Sequence, residues 1–372
     1  MKFSCERALL QSAIGTAGRA VAAKSSIPAL EGILIEAGSH GLRLTGYNLE
    51  TGITTLVEAE VLEEGSLVLS ARLFGEIIRR LPDDMVSVRT EGDTVFITCG
   101  PSSFDILGSD PREFPELPEA GDGSELTMTQ SDLKGMISRV IFAVSDNESR
   151  PIHTGALFEA EENTLTMVAV DGYRLALRRE AITGKNGADT FSFVVPGSAL
   201  GEVEKICADS DESVTVTEGA RHITFRVGST MLVARRLEGE FLNYRNTIPK
   251  NNTVSVSVDT RALQSSIDRA SLIINDKLKS PLRCKFENGS LSISSKTAIG
   301  SAFDRCPITG DGGGLEIGFN NRFLMDAVKA APADTVRMEL NTPTSPCLIL
   351  PEEGERDNFL YMVLPVRLKA EG

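Results

Sequence analysis

Aliphatic residues recur four apart in three short segments, Leu10-x-x-x-Ile14, Leu133-x-x-x-Ile137 and Leu263-x-x-x-Ile267. That spacing puts each pair on one face of a helix. Between these segments the period changes to two. Ile33-Leu-Ile-Glu36 and Leu42-Arg-Leu-Thr45 flank Gly38 and Gly41, Ala156-Leu-Phe-Glu159 and Leu165-Thr-Met-Val168 flank a Glu-Glu-Asn turn, and Cys284-Lys-Phe-Glu287 and Leu291-Ser-Ile-Ser294 flank Asn288-Gly289. These read as antiparallel hairpins. One strand, helix and hairpin passage thus returns about every 125 residues, as a single supersecondary unit would.

Each third halves again. A second helix is predicted in Ser70-Ala-Arg-Leu-Phe-Gly-Glu76-Ile-Ile-Arg79, Pro196-Gly-Ser-Ala-Leu-Gly-Glu202-Val-Glu-Lys205 and Asn320-Asn-Arg-Phe-Leu-Met-Asp326-Ala-Val-Lys329. Ser and Asn suit a helix start because their side chains accept from free backbone N–H groups, and Pro suits a first turn. Further strands flank Gly92 and Gly219. The expected class is α+β: three similar domains, each a pair of strand-and-helix repeats with helices on one face of antiparallel sheet. Composition shifts at Asp110–Gly123, rich in Pro, Gly and acid, and at Ile248–Asn252 place the domains at 1–120, 125–247 and 250–372, and a similar phrase, Glu113-Phe114 and Glu240-Phe241, recurs in register at the two boundaries.

The 372 residues, 41% hydrophobic, can bury a large core. With no apolar run long enough for a membrane helix and no signal-peptide pattern, the expected compartment is the cytoplasm. Cys5, Cys99, Cys207, Cys284, Cys306 and Cys347 lack a C-x-x-C spacing, so buried thiols are expected rather than disulfides or a metal site.

A formal charge of −14 argues against an ordinary DNA-binding surface, but the position of the bases matters more than their sum. Arg72 and Arg79 lie seven apart with Glu76 four beyond Arg72, and Arg322, Asp326 and Lys329 repeat the spacing, with Lys205 at the corresponding place in the middle third. Arg7, Lys134, Arg139, Arg261 and Arg269 add bases on or beside the first helices. On a lone helix such a pattern is a solvated face. Repeated in equivalent units arranged as a ring, it would point the same face to the same place.

Met1-Lys-Phe, Ile27-Pro28, Asn48-Leu-Glu50, Val168-Ala-Val-Asp-Gly-Tyr-Arg-Leu175, Glu238-Gly-Glu-Phe241, Tyr244-Arg245, Ile248-Pro-Lys250, Ile317-Gly-Phe-Asn320 and Val363-Leu-Pro-Val-Arg-Leu368 together resemble the bacterial DNA polymerase III beta subunits, the replicative sliding clamps. The resemblance runs through essentially the whole chain, in order. It implies a DNA clamp fold and a head-to-tail homodimeric ring around duplex DNA that gives a polymerase its processivity, with the clamp loader and repair proteins as further partners. It implies no cofactor.

The repeat count agrees with a dimer. With packed helix axes about 8–10 Å apart, six helices of about 5 Å radius leave a bore of only about 5–10 Å. Twelve leave roughly 25–30 Å, enough for a duplex about 20 Å wide. A ring holds DNA topologically, so a weakly basic lining suffices, and tight phosphate contacts would slow sliding.

The resemblance also implies three sets of residues. The loops after the first helices bring Lys24, Arg150, Lys277 and Lys279 near the duplex, alongside Arg72, Arg79, Lys205, Arg322 and Lys329 on the second helices. A dimer interface takes Phe104 and Ile106 on an edge strand with Leu272 and Ile273 at a helix end. A groove for short peptides comprises His153, Val170, Gly172, Tyr173, Arg174, Leu175, Leu242, Asn246, Thr247, Met362, Val363, Leu364, Pro365, Val366 and Arg367. Four of these depart from the family pattern: His153 stands for a usual Leu, Leu242 for Pro, Asn246 for Arg and Thr247 for Val, which bears on affinity and preferred anchor. Taken alone, Val168–Leu175 reads as a plain hairpin turning at Gly172. Lys369–Gly372 extends past the usual Arg-Leu ending as a polar tail.

An enzyme is the weaker reading. His40, His153 and His222 fall in three separate contexts, no H-E-x-x-H, G-x-S-x-G or phosphate-cradling loop is present, and Asp171 with Arg174 would be the only start for a hydrolase site. A repeat scaffold that never meets DNA would share the fold.

Overall fold

The computed structural model describes residues 1–118, 123–274, 280–352 and 358–368. Lys277, Lys279 and the Lys369–Gly372 tail lie outside the described residues. The chain divides into two compact units: Met1–Lys134 with Ile182–Ala188 and Gly201–Arg236, and Gly135–Ala181 with Asp189–Leu200 and Leu237–Gly372.

The first unit holds two antiparallel sheets. One runs in the order Glu60–Glu63, Lys2–Glu6, Met85–Glu91, Thr94–Cys99, Ser102–Leu107. The other runs Gly184–Asn186, Glu125–Thr129, Ser213–Glu218, His222–Val227, Thr230–Arg235, Thr51–Val57, Gly41–Tyr47, Gly32–Gly38, Gly65–Ser70. Helices α1 (Arg7–Ala17) and α2 (Ala71–Arg80) pack against each other. Leu10 and Ile14 of α1 and Phe74 and Ile78 of α2 close a core with Phe3, Ile33, Leu44, Val86 and Ile97. The four-residue spacing read from the sequence is what puts Leu10 and Ile14 there. Ser70 caps α2, its Oγ accepting from Leu73 N at 3.4 Å.

α3 (Gln130–Ser138) and α4 (Gly197–Ile206) follow. Pro196 ends the preceding strand, so α4 begins at Gly197.

The second unit carries a sheet in the order Thr190–Pro196, Gly155–Glu161, Thr164–Val170, Arg174–Ala181, Phe359–Val363, Cys347–Pro351, Thr335–Leu340, Val254–Asp259, Gly300–Phe319, Leu282–Thr297. Helices α5 (Thr260–Ser271) and α6 (Asn321–Ala330) pack together. Asp259 Oδ1 caps α5 at Ala262 N (2.7 Å), and Asn320 Oδ1 caps α6 at Arg322 N (3.0 Å) and Phe323 N (3.2 Å). The turn expected at Asn288-Gly289 does not end a strand: Leu282–Thr297 is one extended segment whose register shifts on both sides of Asn288, with Gly289 at φ +70°. Glycine tolerates that left-handed conformation, so the extended segment changes course without stopping.

All six cysteines are free and buried. Burial, with Glu6 second, pushes the Cys5 thiol up to about 11, and burial pushes Cys207 to about 11. Among the described residues no helix is long and apolar enough to cross a membrane, and no cluster of three His, Cys, Asp or Glu could hold a metal ion.

Candidate functional site

The strands Thr164–Val170 and Arg174–Ala181 pair with Val170 opposite Leu175, and the second of them pairs onward with Phe359–Val363, Leu175 opposite Met362. Side chains alternate across a strand, so Val170, Leu175 and Met362 share one face while Arg174 takes the other. The first three belong to one buried cluster with Leu157, Val194 and Tyr244, against which Ile152, Phe241, Ile248 and Leu364 are partly buried.

The connection between the strands is an Asx turn. Asp171 Oδ1 accepts from Tyr173 N (2.9 Å) and Arg174 N (3.0 Å), and Gly172 takes φ +91°. Leu364 N donates to Tyr173 O at 2.9 Å, seating the end of the C-terminal strand on the hairpin, and Val366 N donates to Gly318 O at 2.8 Å. Tyr173 is 63% exposed, with its ring stacked on Phe323 at 5.9 Å.

Arg174 is anchored rather than free. Its Nε donates to Asp171 Oδ2 (2.8 Å), its Nη1 to Asp326 Oδ2 of α6 (2.5 Å), and its guanidinium lies over the rings of Phe323 (4.5 Å) and Phe142 (5.4 Å). Its side chain is only 12% exposed. A guanidinium bound through both edges and stacked on aromatic rings fixes the hairpin in one position.

The remaining groove residues lie around this frame. His153 is half-buried, edge-on to Phe241 with ring centroids 5.5 Å apart; burial first, then nearby Arg150, lowers its pKa below the ordinary value. Leu242 is exposed, and the described bonds of Asn246 and Thr247 stay within their own turn, Asn246 N to Asn243 O at 3.2 Å and Thr247 Oγ1 to Tyr244 O at 2.8 Å. Tyr244 under that turn donates to Glu159 Oε2 (2.5 Å), which also holds Arg245 (3.0 Å); burial first and Glu159 second push its phenol up. Val363 is buried, Pro365 half-buried, and Val366 and Arg367 exposed.

The structure thus brings Val170, Tyr173, Arg174, Leu175, Met362 and Leu364 together, with His153 beside Phe241. Two supporting residues escaped the sequence reading. Phe323 occupies the place of Leu73 in α2, and Asp326 was assigned to bases on its own helix. An aromatic in a helix's first turn, unlike its repeat counterparts, was the available signal. A cavity of about 1030 Å³ lies elsewhere, lined by Arg43, Arg112, Phe114, Leu117 and Arg226 among others. An extended peptide needs an open strip beside a strand rather than a deep hollow, so the hairpin frame carries more weight.

The candidate DNA-facing residues are exposed where described: Lys24, Arg72, Arg79, Arg150, Lys205, Arg322 and Lys329. Glu76 pairs with Arg79 (2.6 Å) and Arg80 (2.8 Å), the bases three and four residues beyond it on the helix. Glu202 holds Lys205 (2.7 Å) and Arg19 (3.4 Å). Of the candidate interface residues, Phe104 (39% exposed) and half-buried Ile106 lie on Ser102–Leu107, the last strand of its sheet; Leu272, at the end of α5, is 78% exposed, and Ile273 is half-buried.

Antiparallel sheets backed by repeated helix pairs define an α+β architecture of the clamp type, in three domains. Residues 1–118 match the DNA polymerase III beta subunit N-terminal domain, 127–243 its central domain and 245–367 its C-terminal domain. The beta sliding clamp of Staphylococcus epidermidis is 30% identical over 99% of both chains. Two solved structures superpose closely: the DNA polymerase sliding clamp of Bacillus subtilis (TM-score 0.93, 28% identity, 99% of this chain and 100% of that one) and a putative DNA polymerase III beta subunit from Eubacterium rectale (TM-score 0.92, 32% identity, 98% and 99%). The chain belongs to the DNA polymerase III beta subunit family.

Proposed function

We propose that two copies of this chain close head to tail into a ring around duplex DNA and tether the replicative polymerase to its template, in the cytoplasm, with domains at 1–120, 125–247 and 250–372. It is a sliding clamp and a processivity factor, not an enzyme. The observation that carries this reading is the succession of three family domains across one chain, in order and over its length. The DNA-facing set is Lys24, Arg72, Arg79, Arg150, Lys205, Lys277, Lys279, Arg322 and Lys329, each making transient backbone contacts that a topological link makes sufficient. The groove around Tyr173, Arg174, Leu175 and Met362 takes peptides with aliphatic or aromatic anchors from the polymerase, the loader and repair proteins. Phe104 and Ile106 of one copy meet Leu272 and Ile273 of the other. In support, Ser102–Leu107 and Leu282–Thr297 each end a sheet order, leaving edges that a partner strand can satisfy.

The test is retention on nicked circular DNA after loading, with the same DNA linearised as control. A clamp stays on the circle and runs off the cut molecule. Equal retention on both would reduce the protein to an ordinary binder, and none on either to a scaffold.

A further inference from the structure

The second helices of the three domains carry an acid at one equivalent position, Glu76, Glu202 and Asp326, and a base three residues later, Arg79, Lys205 and Lys329. In α2 and α4 the acid closes on that base, at 2.6 and 2.7 Å. In α6 it does not. Asp326 Oδ2 is bound by Arg174 Nη1 at 2.5 Å, and among the described residues Lys329, which is exposed, makes no ion pair.

We infer that Asp326 is a positioning residue acting in two directions: it holds Arg174 in the peptide groove and, being held there, leaves the Lys329 ammonium uncompensated for DNA phosphate. The inference rests on the sliding-clamp reading and deepens it, since it links the groove to one cation of the bore. The geometry supplies the switch. Asp326 and Lys329 are three apart on a helix, the spacing at which the other two helices already close their pairs. Arg174 competes for the same carboxylate from the hairpin, with Asp171 and the rings of Phe142 and Phe323 fixing its approach. Removing Arg174, or drawing it toward a groove ligand, returns the carboxylate to Lys329 and withdraws one positive charge from the duplex.

The experiment titrates a labelled linear duplex with the assembled dimer at several salt concentrations, after sedimentation and melting have shown each variant folded and dimeric. Each phosphate contact adds about 0.9 to the slope of log affinity against log salt. Lys329→Gln is expected to lower the slope by about one such step, and Arg174→Met, which keeps much of the side-chain bulk between the rings, to lower it equally. Adding Asp326→Asn to Arg174→Met restores the slope, a rescue that a merely structural role for Asp326 would not give. An unchanged slope in Arg174→Met or Lys329→Gln, or no rescue, overturns the inference. Should Arg174→Met not fold, Asp326→Asn alone decides: a wild-type slope supports the inference, and a rise of about one step means that the acid already neutralises Lys329 and refutes it. If the wild-type ring is not retained on nicked circles, the clamp reading falls and takes the inference with it; retention with an unchanged slope sinks the inference alone.

Discussion

The hairpins at Asn48–Gly52 and Asp171–Leu175 are built on one backbone recipe and finished differently. Asn48 Oδ1 accepts from Glu50 N (3.0 Å) and Thr51 N (2.8 Å), as Asp171 Oδ1 does from Tyr173 N and Arg174 N. Leu49 turns at φ +74° where Gly172 turns at +91°. Glu50 O accepts from Arg235 N at 2.9 Å, as Tyr173 O accepts from Leu364 N at 2.9 Å. The side chains then diverge. Tyr47, with Leu30, Phe114 and Leu117, fills the first junction, and a Cβ on Gly52 would lie 2.7 Å from Leu117 Cδ2. The second has Val170 and Leu175 at those places and an arginine where the first has Thr51. Asn and Asp serve the turn equally, but only a carboxylate has a charged second oxygen to hold a guanidinium. The repeat therefore supplies the frame, and a few substitutions make one junction packed and the other receptive.

The comparison breaks hardest at Arg174. Arg174→Ala leaves the largely buried second oxygen of Asp171 without its partner and removes the tie to α6, so urea unfolding should show a loss of about 3 kcal/mol, against less than about 1 kcal/mol for Thr51→Val at the equivalent place. Equal losses would mean that the cross-link to α6 adds nothing to the second hairpin. Tyr47→Val copies Val170 into the first junction. Removing a ring packed among Leu30, Phe114 and Leu117 should cost about 2–4 kcal/mol in the same assay, and a cost near zero would show that the junction collapses around the gap.

The smallest effect concerns pH. His153 and Leu30 are each the third residue of a 3-10 turn opened by proline, Pro151–Thr154 and Pro28–Glu31. Burial and Arg150 lower the His153 pKa, so in the folded chain the imidazole stays neutral where the unfolded chain, near the ordinary 6.5, takes up a proton. Below that value the unfolded state binds more protons, so stability falls with pH until the folded pKa is reached and is unaffected above 6.5. His153→Leu should flatten the stability profile between pH 5 and 7 by a small amount, read by thermal melting; a profile identical to wild type would mean that the imidazole titrates as it does in water.

Much of the frame was legible in the sequence because it is local. Leu10 with Ile14, the caps at Ser70 and Asn320, and the turn at Gly172 each depend on neighbours within a few residues. The decisive site contact is not local: Arg174 and Asp326 are 152 positions apart. Spacing along α6 assigned Asp326 to Arg322 and Lys329, because i±3 and i±4 neighbours are all that a helix sequence reveals, and a largely buried guanidinium between two rings outcompeted them. Asn288-Gly289 misled for a related reason. The dipeptide states that a bend is permitted, while pairing with Gly300–Phe319 decides that the strand continues.

The buried cysteines have a practical consequence. Thiolates, not thiols, attack alkylating dyes, and burial raises Cys5, Cys99, Cys207, Cys284, Cys306 and Cys347 above their ordinary range. The native chain should therefore react only slowly with maleimide at neutral pH. A single cysteine engineered at an exposed position becomes a selective handle for a fluorophore, with all six native residues left in place.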